Sequence, residues 1–187
     1  GITVIDSVPP ASAEQLISEF RRGEMVLLVL DQSDGGQTGV VAMAAECCEA
    51  SHVTFMARQA RGLVSLALTE ARCEQLNLPP MVDPATSGAV KLSIEASTEI
   101  DTGISAADRA RTVRVAVAPD AKPSDLVQPG HIFPVATLSG GVLIRTGAAE
   151  AGVDLATLAG LTPAAVFAEV LDTHGELADA SALVAFA

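Results

Sequence analysis

Short apolar runs alternate along this chain with segments that carry helix-start signals, and this alternation limits the fold more than any other feature. The runs at 25–30 and 165–171 have the length of single buried strands. Ser12 and Ser105 are each followed, three residues later, by Gln or Asp, the pattern of a capping box that opens a helix. Interleaved helices and strands of this kind predict an α/β fold of three layers, organised as a single domain over 1–187.

The other segments continue the alternation. Further strands are predicted at 40–46, 63–68, 91–97, 132–137 and 141–144. Helices are predicted from Ser12 to Arg22, over 51–60 with Ser51 as the N-cap, after Thr69, from Ser105 to about 117, and over 148–161. The segment 119–130, rich in Pro and Asp, is expected to be a loop.

Composition determines what fills the core. The chain has 187 residues, of which 49% are hydrophobic, with no Trp or Tyr and only five Phe. The core must therefore be built from small aliphatic side chains. The longest apolar runs span six to seven residues, well below the roughly 18–20 that cross a bilayer, and the N-terminus lacks a signal-peptide pattern. We therefore predict a soluble cytoplasmic protein without a membrane partner.

The charge and the cysteines exclude two further classes of protein. The formal net charge is −12, which repels phosphate backbones, so a nucleic-acid partner is not expected. Cys47 and Cys48 are adjacent, and Cys73 is the third cysteine. This set has neither the spacing of zinc ligands nor an even count for disulfides, so we predict buried or half-buried structural thiols.

Three places carry residues suited to chemistry. Arg145, Thr146 and Gly147 lie between a predicted strand and a helix start, where amides, the helix dipole and a guanidinium suit a phosphate group, although glycine turns of this kind are also common. His131, at a loop-to-strand boundary, is either a general acid/base or a packing residue. Glu169 lies inside an apolar strand, so it is either a partnered functional carboxylate or an outward-facing residue of an edge strand.

Five longer stretches match a known pattern, in the same order along the chain. They are 74-EQLNLPPM-81, 102-TGISAADRARTVR-114, 121-AKPSDL-126, 129-PGHIFPV-135 and 140-GGVLIRTGAAEAGVDLATLAGLTPAAVFAEVLD-172. Together they resemble the 3,4-dihydroxy-2-butanone 4-phosphate synthase family of riboflavin biosynthesis, over nearly the whole chain. The resemblance implies an α/β fold and a homodimer whose active sites lie near the subunit interface.

Members of that family act on ribulose 5-phosphate, enolise the sugar, remove water, shift the carbon skeleton and expel one carbon as formate. The resemblance implies a divalent metal, usually magnesium, that holds the substrate oxygens and stabilises enediolate charge. It also implies acid and base groups that move protons, at His131 and Glu169, and a phosphate-binding Arg145. Further substrate contacts are expected at Thr146, Gly147 and Asp34.

The chain departs from the family pattern at the positions that hold the metal. The opening loop of the family reads D-D-E-D-R-E-N-E-G-D, and here it is 31-DQSDGGQTGV-40. The substrate-binding Arg falls on Gly35 and the metal-binding Glu on Gly36. In the family segment R-G-G-H-T-E-A, the second metal ligand, a His, falls on Ala148, and the phosphate-binding Thr falls on Ala149. Both family ligands are therefore replaced, and we expect no bound cofactor.

Three interpretations follow, so whether the chain is an enzyme stays open at this point. The first is a homologue that has lost the metal-dependent activity and serves as a non-catalytic dimeric domain, beside a GTP cyclohydrolase II domain or protein. The second is a metal-independent enzyme that acts on a phosphorylated or anionic small molecule, such as a sugar phosphate. Its working residues would be Arg145, His131 and Glu169.

The third interpretation is ordinary synthase activity with magnesium held by other carboxylates, for instance Asp31 or Asp34 together with Glu150. Magnesium can bind through few protein ligands and several waters. An ordinary synthase would nevertheless lack the Arg and the acids of the opening loop. The loss of both family ligands, without a visible replacement, favours the first interpretation.

Overall fold

The structure, a computed structural model, describes residues 2–4, 12–31, 37–60, 63–79, 90–137 and 147–170. Its strands are β1 (Ile2–Val4), β2 (Met25–Asp31), β3 (Gln37–Ala44), β4 (Ser65–Thr69), β5 (Ile94–Ala96), β6 (Leu126–Thr137) and β7 (Ala164–Glu169). Its α-helices are α1 (Ala13–Arg21), α2 (Ala50–Phe55), α3 (Glu70–Gln75), α4 (Ala106–Val117) and α5 (Ala148–Leu158). No helix in these described ranges is long and apolar enough to cross a membrane.

Within the described residues the strands form one seven-stranded sheet in the order β1-β2-β3-β7-β4-β6-β5. Strand β4 lies inside this sheet, antiparallel to β7 and parallel to β6. Strand β3 is antiparallel to both of its neighbours, β2 and β7. The predicted α/β fold is therefore confirmed, and its sheet is mixed.

Alternating residues of each strand enter two separate cores, one on each face of the sheet. On β2, for example, Leu27 belongs to one core while Val26 and Leu28 belong to the other, as the period of two in a strand requires. Helices α2, α3 and α4 cover the face that carries Leu27, and α1 and α5 cover the opposite face. The result is the predicted arrangement of three layers.

Small side chains determine how closely α5 lies on the sheet. A Cβ atom built on Gly152 would lie only 2.6 Å from Cβ of Ala165 in β7. Ala42 and Ala67 are buried on the same face of the sheet as Ala165. The alanine-rich composition therefore permits close helix-to-sheet contact as well as filling the core.

Several local predictions hold, and one is wrong. The capping box at Ser12 is present, and the side chain of Thr69 caps α3. The predicted N-cap at Ser51 is wrong, because Glu49 occupies that position and its N–H donates to Nδ1 of His52. The helix then continues past α2 as a π-helical turn.

Two predicted strand boundaries also need correction. The strand predicted at 91–97 is shorter in the structure, where β5 covers only Ile94–Ala96. Its register on β6 shifts within that span, between Ile94 and Glu95. The segment 126–130, predicted to belong to a loop, is instead the first part of β6 and pairs with β5. The strand predicted at 141–144 lies outside the described residues.

The cysteines are the structural thiols that the sequence predicts. Cys48 and Cys73 are buried, Cys47 is half-buried, and all three are free. Burial raises the pKa of Cys48 to about 12 and the pKa of Cys73 to about 11. Burial also raises the pKa of Cys47. These groups are therefore protonated near neutral pH, and the thiol form is a poor nucleophile.

We expect Gly152→Val to destabilise the protein, because the added methyl groups would overlap Ala165. Overpacking of this kind typically removes about 1–3 kcal/mol from the free energy of unfolding, which urea denaturation measures. Ala107→Val in α4 is the matched control. Ala107 is exposed. Because Val has a lower helix propensity than Ala, this substitution should lower the free energy of unfolding by at most about 0.7 kcal/mol. Equal losses in the two variants would show that α5 can move away from the sheet without penalty.

Candidate active site at one end of the sheet

Two residues predicted to carry chemistry, His131 and Glu169, lie at the same end and on the same face of the sheet. In β4, Ser65 pairs with Phe133 of β6 and with Phe167 of β7. His131 precedes Phe133 by two residues on a parallel strand, and Glu169 follows Phe167 by two residues on an antiparallel strand. Both therefore lie just beyond the start of β4, with backbones about 10 Å apart, which is two strand spacings.

Glu169 is not the edge residue that one interpretation of the sequence expects. It is the last residue of β7, and β7 lies between β3 and β4 inside the sheet. Its side chain is nevertheless exposed. The carboxylate therefore reaches solvent because it lies at the end of the strand. The charge stays hydrated although β7 is not an edge strand.

The β2–β3 pair reaches the same end of the sheet. Asp31 and Gln37 form the last pair of this ladder, and β3 pairs with β7 up to Glu169. The connecting residues 32–36, which include the predicted substrate contact Asp34, lie outside the described residues. The two strands that flank them nevertheless finish at the end of the sheet where Glu169 lies.

Helix α5 also begins at this end. A short connection joins α5 to β7, so the two run in opposite directions and α5 starts on the side of Glu169. Its N-cap is Gly147, which makes no side-chain cap, and its first residue is Ala148. The N–H groups and the dipole of a helix start favour an anion. Arg145 and Thr146, predicted to bind phosphate, immediately precede it and lie outside the described residues.

A buried carboxylate lies in the first turn of α5. Glu150 is only 2% exposed, and its Oε2 is 2.9 Å from the position that a Cβ on Gly147 would take. The positive end of the helix dipole stabilises a negative charge at this position. From the sequence, Glu150 is expected only as an alternative magnesium ligand. In the structure its side chain is buried beside the backbone at the start of α5.

The imidazole of His131 contacts a carboxylate that the sequence analysis did not single out. Nδ1 of His131 lies at hydrogen-bonding range of Oε1 of Glu95. The Glu95 side chain is 15% exposed and the His131 side chain is 41% exposed, so the carboxylate is the more protected partner. The alternation within 91–97 places Glu95 on the polar face of a strand. It cannot identify a partner that is 36 residues away.

A tight loop encloses the Glu95 carboxyl group. Gly103 has φ +82°, a backbone conformation that favours glycine, and its backbone lies close to that carboxyl group. The carboxylate of Asp108 holds the loop by accepting hydrogen bonds from the N–H groups of Gly103, at 3.0 Å, and Asp101, at 3.2 Å. Ser105 caps α4 as predicted, but Asp108 binds this loop, so the reciprocal half of the predicted capping box does not form.

The residues at the two metal positions implied by the family resemblance do not fit magnesium. Gly36 has no side chain, and the methyl group of Ala148 has no donor atom. In the part of the chain that the structure describes, no group of three or more His, Cys, Asp or Glu side chains is placed to hold a metal ion. The side chains that would complete a magnesium site are therefore missing from both positions.

The fold and the site together define a class of protein. A three-layer α/β domain with ionisable side chains and a helix start at one end of its sheet has the layout of a domain that binds small anionic molecules.

Comparison with known proteins identifies the family within this class. The family model of 3,4-dihydroxy-2-butanone 4-phosphate synthase matches residues 14–187, and the chain belongs to that family. The domain bounds of 1–187 stay a prediction.

Individual relatives agree with this assignment. A 3,4-dihydroxy-2-butanone 4-phosphate synthase of Pseudomonas syringae pv. tomato is 52% identical over 93% of this chain and 48% of that protein. A crystal structure of a two-domain synthase from A. baumannii gives a TM-score of 0.87 and 46% identity, over 94% of this chain and 52% of that one. A crystal structure of a synthase in complex with two magnesium ions gives a TM-score of 0.84 and 36% identity, over 97% of this chain and 88% of that one. The chain spans about half the length of the first two relatives.

We expect Asp108 to contribute stability that is lost in acid. Hydrogen bonds, first that of Gly103, lower the pKa of Asp108 in the folded protein. The contribution is therefore present above the ordinary Asp pKa of about 3.9 and is lost as the pH falls through the lower folded-state value. The free energy of unfolding of the wild type should exceed that of Asp108→Asn at about pH 6 and approach it below about pH 4. If the free energies of unfolding of the wild type and Asp108→Asn differ by the same amount at both pH values, this prediction is wrong.

Proposed function

We propose that this chain is a member of the synthase family that has lost the metal-dependent reaction and serves as a non-catalytic dimeric domain. The start of α5 carries this proposal, because Ala148 and Ala149 stand where the family pattern has a metal-binding His and a phosphate-binding Thr. Ala149 is 6% exposed and Ala148 is half-buried. Both side chains therefore serve the packing of the helix and offer no atom to a substrate or a metal.

The missing groups are the ones that the reaction needs. Enolising a sugar phosphate and moving its carbon skeleton place negative charge on oxygen, and a divalent metal supplies the Lewis acid that stabilises it. Gly36 and Ala148 offer that metal no donor, and the substrate-binding Arg of the family falls on Gly35. These losses come from two distant segments of the sequence. The described residues that flank both segments lie at one end of the sheet, which supports the proposal that the losses affect one site.

The framework of the domain is kept although these groups are lost. Both faces of the sheet are covered by helices and filled with buried apolar side chains. A relative from A. baumannii has two domains, which supports a role beside a second domain. We therefore propose a cytoplasmic homodimer that accompanies a GTP cyclohydrolase II domain or protein, without a nucleic-acid or membrane partner.

We expect no formate and no 3,4-dihydroxy-2-butanone 4-phosphate when this chain is incubated with ribulose 5-phosphate and Mg²⁺. The synthase of P. syringae, assayed beside it, is the positive control. Loss of preorganised charge stabilisation should lower the rate by at least about a thousandfold relative to that enzyme. A rate within about tenfold of the control would overturn the proposal. It would support ordinary synthase activity with magnesium held by Asp31 or Asp34 together with Glu150.

The placement of the remaining ionisable groups supports a second candidate function. His131 and Glu169 lie at one end and on one face of the sheet, on the side where α5 begins. An acid and a base beside a helix start suit metal-independent proton transfer or dehydration of a phosphorylated or anionic small molecule. In this alternative the anion is bound by Arg145, Thr146 and Gly147, with Asp34 as a further contact.

Calorimetry with ribulose 5-phosphate in the presence of EDTA separates the two functions. The non-catalytic domain should show no binding. The metal-independent enzyme should bind, and Arg145→Ala should weaken that binding by about tenfold or more, the size of one lost charge-assisted contact. Arg21→Ala is the matched control, because it removes the same charge at the far end of α5, where Nε of Arg21 donates to the carbonyl of Ala159 at 3.4 Å. Binding that appears only with magnesium would support ordinary synthase activity instead.

A further inference from the structure

We infer that Leu63 is a positioning residue that keeps the imidazole of His131 and the carboxylate of Glu169 apart. Leu63 is 64% exposed, so its position is not explained by the packing of a core. The use of this separation for chemistry rests on the metal-independent function proposed above, in which the two groups act as base and acid. The separation itself follows from the fold and requires no ligand.

The order of the strands places Leu63 between the two ionisable side chains. Strand β4 lies between β6, which carries His131, and β7, which carries Glu169. The pairing of Ser65 with both neighbouring strands places His131 and Glu169 level with the position two residues before it. That position is Leu63. The one side chain of the β4 chain at this level is therefore an aliphatic one.

Leu63 also shares a face of the sheet with Glu169. Val64 is buried in the core under α2, α3 and α4, and its carbonyl accepts the N–H of Phe133 at 3.2 Å. Because side chains alternate along an extended chain, Leu63 is directed to the opposite face. Glu169 is directed to that face as well, since it pairs with Val40, which belongs to the core under α1 and α5.

The ring of His131 is turned toward Leu63. Ile132 belongs to the core under α2, α3 and α4, so His131 is directed to the same face as Leu63. Nδ1 of His131 contacts Glu95 of β5, and β5 lies on the other side of β6 from β4. Because the two ring nitrogens lie on different edges of the imidazole, Nε2 is directed toward β4.

Without a side chain between them, the two ionisable groups could meet. The backbones of His131 and Glu169 are about 10 Å apart, and each side chain extends over about one strand spacing, about 5 Å. Among the described residues, the ion pair of His131 is with Glu95 and not with Glu169.

An ion pair with Glu169 would engage both groups. The carboxylate would accept Nε2–H of the imidazolium in a charge-assisted hydrogen bond, and neither group could then act on a ligand. The bulk of Leu63 prevents this contact. Nε2 of His131 and the carboxylate of Glu169 therefore stay available to the two ends of a small molecule that lies over Leu63.

Modification of His131 by diethyl pyrocarbonate tests this inference, because the reagent reacts with an unprotonated imidazole nitrogen. At about pH 6, where an imidazole is partly protonated, Leu63→Ala should slow the reaction because Glu169 can then hold the imidazolium. We expect a two- to fivefold effect, about the size of one partly exposed ion pair. A side chain that only shields the ring predicts the opposite, since its removal would speed the reaction. Peptide mass spectrometry measures the rate, and His52 in the same sample corrects for decay of the reagent.

Further variants separate positioning from a merely structural role. Leu63→Met keeps the bulk of the side chain and should keep the wild-type rate. Leu158→Ala is the matched control, because Leu158 is 63% exposed and lies at the other end of α5. Adding Glu169→Ala to Leu63→Ala should restore the rate at His131, whereas Glu169→Ala alone should leave the wild-type rate unchanged.

An unchanged or faster reaction in Leu63→Ala, or equal slowing in Leu158→Ala, would overturn the inference. Slowing that Glu169→Ala does not reverse would do the same. If Leu63→Ala does not fold, Glu169→Ala alone decides the question, since a faster reaction at His131 would show that the two groups already meet in the wild type. The measurement needs neither substrate nor metal, so its result is independent of the product assay and of calorimetry.

Discussion

Hydrogen bonding of β4 on both of its sides is the constraint on which the rest of the structure depends. Leu66, Ala67 and Leu68 are fully buried, with the two leucines in one core and the alanine in the other. A shift of one residue would turn each of these side chains toward the wrong core, so burial determines the register. The register in turn fixes the level at which β6 presents His131 and β7 presents Glu169.

Different residues specify the framework of this domain and the chemistry of its site. The framework consists of buried aliphatic residues on a sheet that is covered on both faces. The departures from the family pattern that the resemblance implies include Gly35, Gly36 and Ala148, of which Ala148 lies at the start of α5. Replacing such residues removes donor atoms without removing the contacts that hold the sheet. A TM-score of 0.84 to a relative in complex with two magnesium ions therefore establishes the fold of this chain and does not by itself decide the chemistry of its site.

Features of the fold that depend on near neighbours were predictable from the sequence. The caps at Ser12 and Thr69 act within three residues, and the interleaving of helix-start signals with short apolar runs predicted the layers. The cap at Ser51 failed because the alternative, Glu49, depends on the ring of His52, which a capping pattern does not consider. The start of β6 was missed because its pairing with β5, and not its own composition, makes it a strand.

The candidate site was predictable only in part. Resemblance to the family identified His131 and Glu169, and the sheet brings both to one end, although their roles stay predictions. Glu95 could not be found from the sequence, because its contact depends on a register shift and on the space that Gly103 leaves. Contacts of this kind are created by tertiary pairing, and no local pattern records them.

Asp108 connects parts of the molecule that lie on opposite faces of the sheet. Its helix, α4, covers one face, while Glu95 and His131 are directed to the other. The carboxylate of Asp108 holds the loop of Gly103, and that loop presses on the carboxyl group of Glu95. Removing the carboxylate of Asp108 would therefore release the two N–H groups that keep this loop beside the carboxyl group of Glu95.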